Sequence, residues 1–273
     1  MTAQSEKGRA FRALHQGEGA FIIPNPWDAG TAKILASSGF AALASTSAGC
    51  AFSLGKADGQ IGRDAAIAHV AQIVAATSLP VSGDLENGFG DAPETVAETI
   101  RLGAAAGLVG GSIEDATGNP VRPIYDIELA IERIIAAAEA ARALPFPFAL
   151  TARAENYLYG RPDLKDTIHR LRTYQEAGAD VLYAPGLRSK DDIAAVVRSV
   201  DRPVNVLAGL DGTAFSLAEL SDLGVKRVSV GSALARTALG AVLTAAKEMR
   251  TKGTFSYAKR APRLPDLNAA FGK

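Results

Sequence analysis

Eight times along the 273 residues, a short apolar run gives way to a segment with helical spacing. No other feature limits the fold so sharply. Strands that alternate with helices lie parallel in one sheet, because a parallel neighbour needs a crossover connection rather than a tight turn. The runs occupy 20–26, 40–44, 79–81, 107–113, 146–152, 179–183, 203–207 and 225–230. A helix at 4–17 precedes them. Helices at 29–38, 63–77, about 93–106, 127–143, about 164–177, 193–200, 217–223 and 233–249 follow in turn. Eight such units in this length suit a closed (β/α)8 barrel, typically about 250 residues. An open doubly wound sheet would announce itself by Gly-x-Gly-x-x-Gly after the first strand. Here that strand ends in Pro24-Asn-Pro26. The expectation is one barrel domain over 1–273, with a C-terminal tail from about 255 that either frays or lies on a partner subunit.

Charge excludes some partners. Lys plus Arg and Asp plus Glu number 29 each, with no basic run, which argues against nucleic acid or an anionic membrane surface. No apolar stretch approaches a membrane span and the first residues lack the apolar core of a signal peptide. Cys50 is the single cysteine, so neither an internal disulfide nor a multi-cysteine metal site can form. A cytoplasmic protein is expected.

Barrel active sites stand at the C-terminal ends of the strands. The third strand leads into Val81-Ser-Gly-Asp-Leu-Glu-Asn-Gly-Phe-Gly90, where Asp84 and Glu86 are spaced i, i+2 and face one way in extended chain. A lone acid after a strand is usually a turn former or a cap. Two side by side repel, and this stretch holds no Lys or Arg, so a bound cation is the first suspect. Other strand ends add Ser45, Thr46 and Ser47 with Asp58 in their loop, then Glu114 and Asp115, Arg153 and Glu155, Tyr183, and Asn205. All three histidines (His15, His69, His169) fall on helices. An all-oxygen set favours a hard cation, Mg²⁺ ahead of Mn²⁺. Arg153 is then the natural bidentate clamp for a substrate carboxylate. Its alternative is an internal ion pair with Glu155 or Glu114.

Ser53-Leu-Gly-Lys-Ala-Asp58, Gly83-Asp-Leu-Glu-Asn-Gly-Phe-Gly90, Ser112-Ile-Glu-Asp115 and Thr151-Ala-Arg-Ala-Glu155, in this order, resemble the isocitrate lyase and phosphoenolpyruvate mutase superfamily. The resemblance runs from Pro24-Asn-Pro-Trp-Asp28 to the helix after the eighth strand. It implies a Mg²⁺-dependent lyase barrel, with metal residues Asp84, Glu86 and Glu114. Asp84 would bind directly, while Glu86, Glu114 and Asp58 would act through water. Ser45, Thr46, Ser47, Arg153 and Asn205 would hold a small 2-oxo or 2-hydroxy carboxylate. It further implies a homotetramer, a dimer of dimers, with the eighth helix exchanged between subunits.

The loop after the fourth strand departs from the pattern. Lyases acting on isocitrate or methylisocitrate carry a Lys-(Lys/Arg)-Cys-Gly-His run there, and the mutases Lys-Thr-Asn-Ser. This chain has Ala116-Thr-Gly-Asn-Pro-Val-Arg-Pro-Ile-Tyr125. Glu86 also stands where many relatives have Asp. The expected chemistry is cleavage of a carbon–carbon bond through an enolate, as in oxaloacetate decarboxylation. Arg153, Glu114, Asp58, Thr117 and Tyr125 are the candidate catalytic residues, with Tyr125, Thr117 and Arg122 for gating or proton delivery. The alternatives are carbon–phosphorus chemistry (phosphonopyruvate hydrolysis or mutation to phosphoenolpyruvate) and a non-catalytic metabolite-binding barrel.

Overall fold

The computed structural model describes residues 2–272. Helix α1 (Ala3–Gln16) precedes eight strands: β1 Phe21–Ile23, β2 Leu43–Ala44, β3 Val81–Asp84, β4 Gly110–Glu114, β5 Ala149–Arg153, β6 Val181–Tyr183, β7 Val204–Leu207 and β8 Arg227–Ser229. Between and after them lie α2 (Ala29–Ser37), α3 (Ser47–Ser53), α4 (Arg63–Ala75), α5 (Pro93–Ala105), α6 (Ile127–Arg142), α7 (Leu164–Glu176), α8 (Lys190–Ser199), α9 (Leu217–Asp222), α10 (Ala233–Lys252) and α11 (Leu264–Phe271). The strand order is β1-β8-β7-β6-β5-β4-β3-β2, with every adjacent pair parallel. This is the (β/α)8 barrel that the alternation implies.

The seam between β1 and β2 closes differently from the other joints. Pro24 and Pro26 have no N–H to give to a ladder. The Ala44 N–H donates to the Pro24 carbonyl at 3.1 Å, and the side chain of Asn25 does the rest. Its Nδ2 donates to the Ser45 carbonyl at 2.9 Å, and its Oδ1 accepts from the Val230 and Gly231 amides at 2.9 and 3.0 Å. One buried carboxamide thus ties β1, β2 and β8 together.

All eight strands start later than the apolar runs that foretell them. Leu108, Val109, Phe148 and Ala179 are buried, yet each precedes its strand. They line the approach to the barrel, and burial rather than strand pairing selects their character. The main core lies between barrel and helices, with Ile73, Leu85, Ile100, Leu108, Ile113, Leu150, Leu171 and Leu182 all fully buried. A smaller cluster of Phe11, Ile23, Ala42 and Val109 seats α1 beneath the barrel. Glycines permit that approach: a Cβ on Gly110 would meet Phe11 Cε1 at 2.7 Å and the Ala149 carbonyl at 2.9 Å.

Two elements go beyond the sequence reading. Residues 47–53, on the way from β2 to Asp58, form α3. Their Ser, Gly and Ala content hides the helix, but the Thr46 hydroxyl caps it by accepting from the Gly49 amide. After α10, a 3-10 turn (Ser256–Arg260) leads to α11, which packs on α2, and Lys33 Nζ donates to the Phe271 carbonyl at 3.2 Å. Helix α10 itself buries only Ala235, leaving Leu239, Val242, Leu243 and Met249 exposed. Among the described residues, no helix is long and apolar enough to cross a membrane.

Candidate active site

Pairing register sets the site. Asp84 sits opposite Ser112, Glu114 opposite Arg153, and Arg153 opposite Tyr183. The last residues of β3, β4 and β5 therefore converge at the C-terminal mouth. Arg153 is their hub. It contacts Asp84 Oδ1 at 2.9 Å, Glu114 Oε2 at 3.1 Å and Glu155 Oε1 at 2.7 Å, and its guanidinium lies 5.2 Å from the Tyr183 ring centroid. The side chains are 15% exposed for Arg153, 16% for Asp84, 13% for Glu114 and 2% for Glu155, so water screens these contacts weakly. The two readings of Arg153 thus meet at one place: it forms internal ion pairs with both Glu155 and Glu114 while lining the cavity at the barrel mouth.

That cavity, of about 700 Å³, is walled by Ser45, Thr46, Ser47, Asp58, Asp84, Arg153 and Asn205, all foreseen from sequence. Asp84 is held on two further sides: its amide donates to Ser45 Oγ at 2.8 Å, and its Oδ2 accepts from the Ser47 amide at 2.9 Å. Asn205 is turned into the barrel, where it accepts from Arg227 Nε and donates to Ser229 Oγ, each at 2.9 Å. Asp115 belongs to the frame. It accepts from the Glu155 amide, the Tyr174 hydroxyl and Arg170, and so fixes the β4 and β5 exits against α7.

Glu86 and Glu114 line an adjoining groove, together with Thr117 and Tyr159. Glu86 has a left-handed backbone (φ 47°), a conformation that favours glycine, and its Oε1 is buried without a hydrogen-bond partner. Such an orphaned oxygen commonly marks a missing ion or water. Among the described residues, no three Asp, Glu, His or Cys side chains close around one point, because the Arg153 guanidinium stands between Asp84 and Glu114.

The electrostatics follow from crowding acids in a partly dry mouth. Burial, then repulsion from Asp84 and Asp58, pushes Glu86 up to about 7. Burial also raises Glu114 well above the usual carboxylate range, and Arg153 only partly offsets it. Asp58 and Glu155 rise as well, both chiefly through burial. Burial works against the charge of Arg153, but Glu114, Glu155 and Asp84 hold its pKa well above the ordinary value.

The loop after β4 lies differently from expectation. It folds back as a hairpin, with Ala116 bridging Ile124 and the Thr117 amide donating to the Pro123 carbonyl. Thr117 reaches the groove, but its hydroxyl donates to the Arg122 carbonyl at 2.5 Å. Tyr125 reaches neither cavity nor groove: buried beneath Arg133, it donates to Asp91 Oδ1 at 2.5 Å. Arg122 pairs on the surface with Asp126. Sequence reasoning missed Tyr157, Leu158 and Arg188 on the cavity wall, and Tyr159 in the groove. The aromatic run Tyr157-Leu-Tyr159 just after Glu155 was the available signal for three of them.

The chain matches the phosphoenolpyruvate phosphomutase family model over residues 11–250. It belongs to the phosphoenolpyruvate mutase/isocitrate lyase superfamily. A solved structure of a provisionally assigned lyase/mutase from Burkholderia cenocepacia J2315 is 64% identical, with a TM-score of 0.97 over 99% of this chain and 97% of that one. An uncharacterized protein of Mycobacterium tuberculosis (strain ATCC 25618 / H37Rv) is 32% identical over 94% of this chain and 96% of its own length. The 2-methylisocitrate lyase of Escherichia coli (strain K12) is 32% identical over 64% of this chain and 61% of its own length. This superfamily chain therefore has lyases among its homologues.

Proposed function

We propose that the cavity is the active site of a Mg²⁺-dependent lyase that cleaves a carbon–carbon bond in a small 2-oxo or 2-hydroxy (di)carboxylate through an enolate, as in oxaloacetate decarboxylation. The observation that carries this reading is the Arg153 hub, a guanidinium gripped by acids from three neighbouring strand ends at a cavity of metabolite size. An all-oxygen, acid-rich donor set also suits the cation in its chemistry, with the Arg153 guanidinium filling the space between Asp84 and Glu114 in this structure. Asp58, Asp84, Glu86, Glu114 and Glu155 face a single paired arginine, burial and then neighbouring acids raise four of these carboxyls, and Glu86 Oε1 has no partner. Asp84 would hold Mg²⁺ directly, with Glu86, Glu114 and Asp58 holding it through water. Bound there, it would act as a Lewis acid toward the oxygen that gains charge.

The chain's own groups supply the rest. Arg153 exchanges part of its carboxylate contact for the substrate's carboxylate, and the Ser47 amide and Ser45 hydroxyl keep Asp84 in place. The enolate then needs a proton. Tyr125 is engaged with Asp91, so delivery falls to the groove, where Tyr159 faces Glu114 and is kept protonated, pushed up to about 12 by burial and then by Glu114. The apolar face of α10 supports a homo-oligomer, a dimer of dimers in which that helix packs on a neighbouring subunit.

The test is an NMR screen of 2-oxo and 2-hydroxy acids, with Mg²⁺ and with chelator. Pyruvate released from oxaloacetate above the protein-free rate, dependent on Mg²⁺ and lost in Asp84→Ala, is the expected result. Undiminished turnover by folded Asp84→Ala removes the metal role. The family model's phosphomutase name favours a second reading, carbon–phosphorus chemistry. Phosphate release from phosphonopyruvate, or its interconversion with phosphoenolpyruvate, would establish it instead.

A further inference from the structure

Three arginines reach the wall of the main cavity: Arg153, Arg188 and Arg227. Two are already occupied. Arg153 is paired with three acids, and Arg227, buried at the floor, donates to Asn205 Oδ1 and Thr151 Oγ1 beside His15. Arg188 is exposed, and among the described residues it has neither hydrogen-bond nor ion-pair partner, although Asp191 and Asp192 follow it in the first turn of α8.

Its backbone is nonetheless well seated. Ala184, Pro185 and Leu187 before it are buried, and Ser189 after it caps α8 by accepting from the Asp192 amide at 3.0 Å. Gly186 adopts φ 91° and lies so close to the preceding loop that a Cβ there would stand 3.0 Å from Tyr157 Cβ. A free guanidinium on a fixed turn at a cavity wall is a receptor in search of an anion.

Charge distribution says which anion. The unpaired acids and those around Arg153 come from β3, β4, β5 and the loop beyond α3, while the wall between β6 and β8 carries Tyr183, Asn205, Leu207 and Ser229, and its acid, Asp211, is paired with Arg236. Asp58, Asp84, Glu86, Glu114 and Glu155 outnumber Arg153 on that side, so a second anionic group placed there would meet other acids. A ligand with anionic groups at both ends needs a cation away from the acids, and Arg188 is the one left free.

We propose that Arg188 binds the second anionic group of a two-ended substrate, a dicarboxylate or a phosphono-carboxylate. The proposal deepens the function above and rests on its placing of a first carboxylate at Arg153. It makes Arg188 the residue that separates such substrates from simple 2-oxo and 2-hydroxy monocarboxylates.

The experiment measures binding by calorimetry with Mg²⁺ for two matched pairs, malate against lactate and phosphonopyruvate against pyruvate, in wild type, Arg188→Gln and Arg188→Lys. Wild type should prefer a two-ended member by about tenfold or more. Arg188→Gln should erase that preference while leaving the monocarboxylates unchanged, and Arg188→Lys should retain part of it. Whichever pair shows the preference identifies the group as carboxylate or phosphonate. A wild type without preference, a preference that survives Arg188→Gln, or an equal loss for both members of a pair overturns the proposal. Turnover is scored separately. A preference that vanishes in Arg188→Gln without any carbon–carbon cleavage keeps this inference and removes the lyase reading; cleavage with binding indifferent to residue 188 does the reverse.

Discussion

Replacing Arg153 by Met keeps most of the side chain's bulk and removes its charge. Three carboxylates within 3.1 Å of that guanidinium, from Asp84, Glu114 and Glu155, would then face one another without a counter-ion. Removing one partner of a buried ion pair costs about 3–5 kcal/mol. The penalty depends on ionisation. Without Arg153 the acids bind protons more readily in the folded protein than in the unfolded chain, where they titrate normally. Folding then gains protons, and the lost stability returns as pH falls toward the unfolded carboxylate values. The expected result in urea denaturation with chelator is a deficit of about 3–5 kcal/mol at pH 8 that shrinks by at least about half at pH 5. Adding Mg²⁺ at pH 8 should recover part of it. A variant as stable as wild type at pH 8, or with the same deficit at both pH values, would refute the placement of Arg153 as the charge hub.

Asp84→Asn should fold, since an amide oxygen can still accept from the Ser47 amide, but should lose Mg²⁺-dependent turnover by about 100-fold or more and lose any Mg²⁺-induced rise in Tm. Burial, then Arg227, lowers His15 to about 3, so between pH 6.5 and 3 the unfolded chain binds a proton the folded one refuses. Stability should fall as pH drops through that window, by up to about 1.4 kcal/mol per pH unit, and His15→Gln should remove that share when urea midpoints at pH 7 and 5 are compared. Gly8→Ala would drive a methyl into the Pro147 carbonyl and should cost about 1–3 kcal/mol, read as a lower Tm. Leu243→Glu on α10 should shift the light-scattering mass toward a monomer if that helix packs on a neighbour; an unchanged mass counts against the exchange.

Much of this was legible in the sequence because the barrel repeats one signal eight times. Helix limits followed caps and glycines closely: α5, α6 and α7 each end one residue before the sequence reading placed them. Strand starts did not, because an apolar residue at 108 or 148 looks the same whether it enters a ladder or merely lies under a helix. The acids of β3 and β4 and Arg153 could be read from their place at strand ends. Tyr125 misled because its distance along the chain from Glu114 said nothing about the hairpin that carries it under Arg133. Arg188 escaped notice because a lone arginine before a helix cap has no pattern until the cavity wall is known.

Asn25 has a consequence beyond closing the cylinder. The seam it fastens also carries Ser45, whose hydroxyl anchors the amide of Asp84. A lapse at this fastening would reach the acid cluster before the rest of the cylinder came apart. Durability of the scaffold and readiness of the pocket therefore share a single carboxamide, and warming should silence the protein some degrees before it melts.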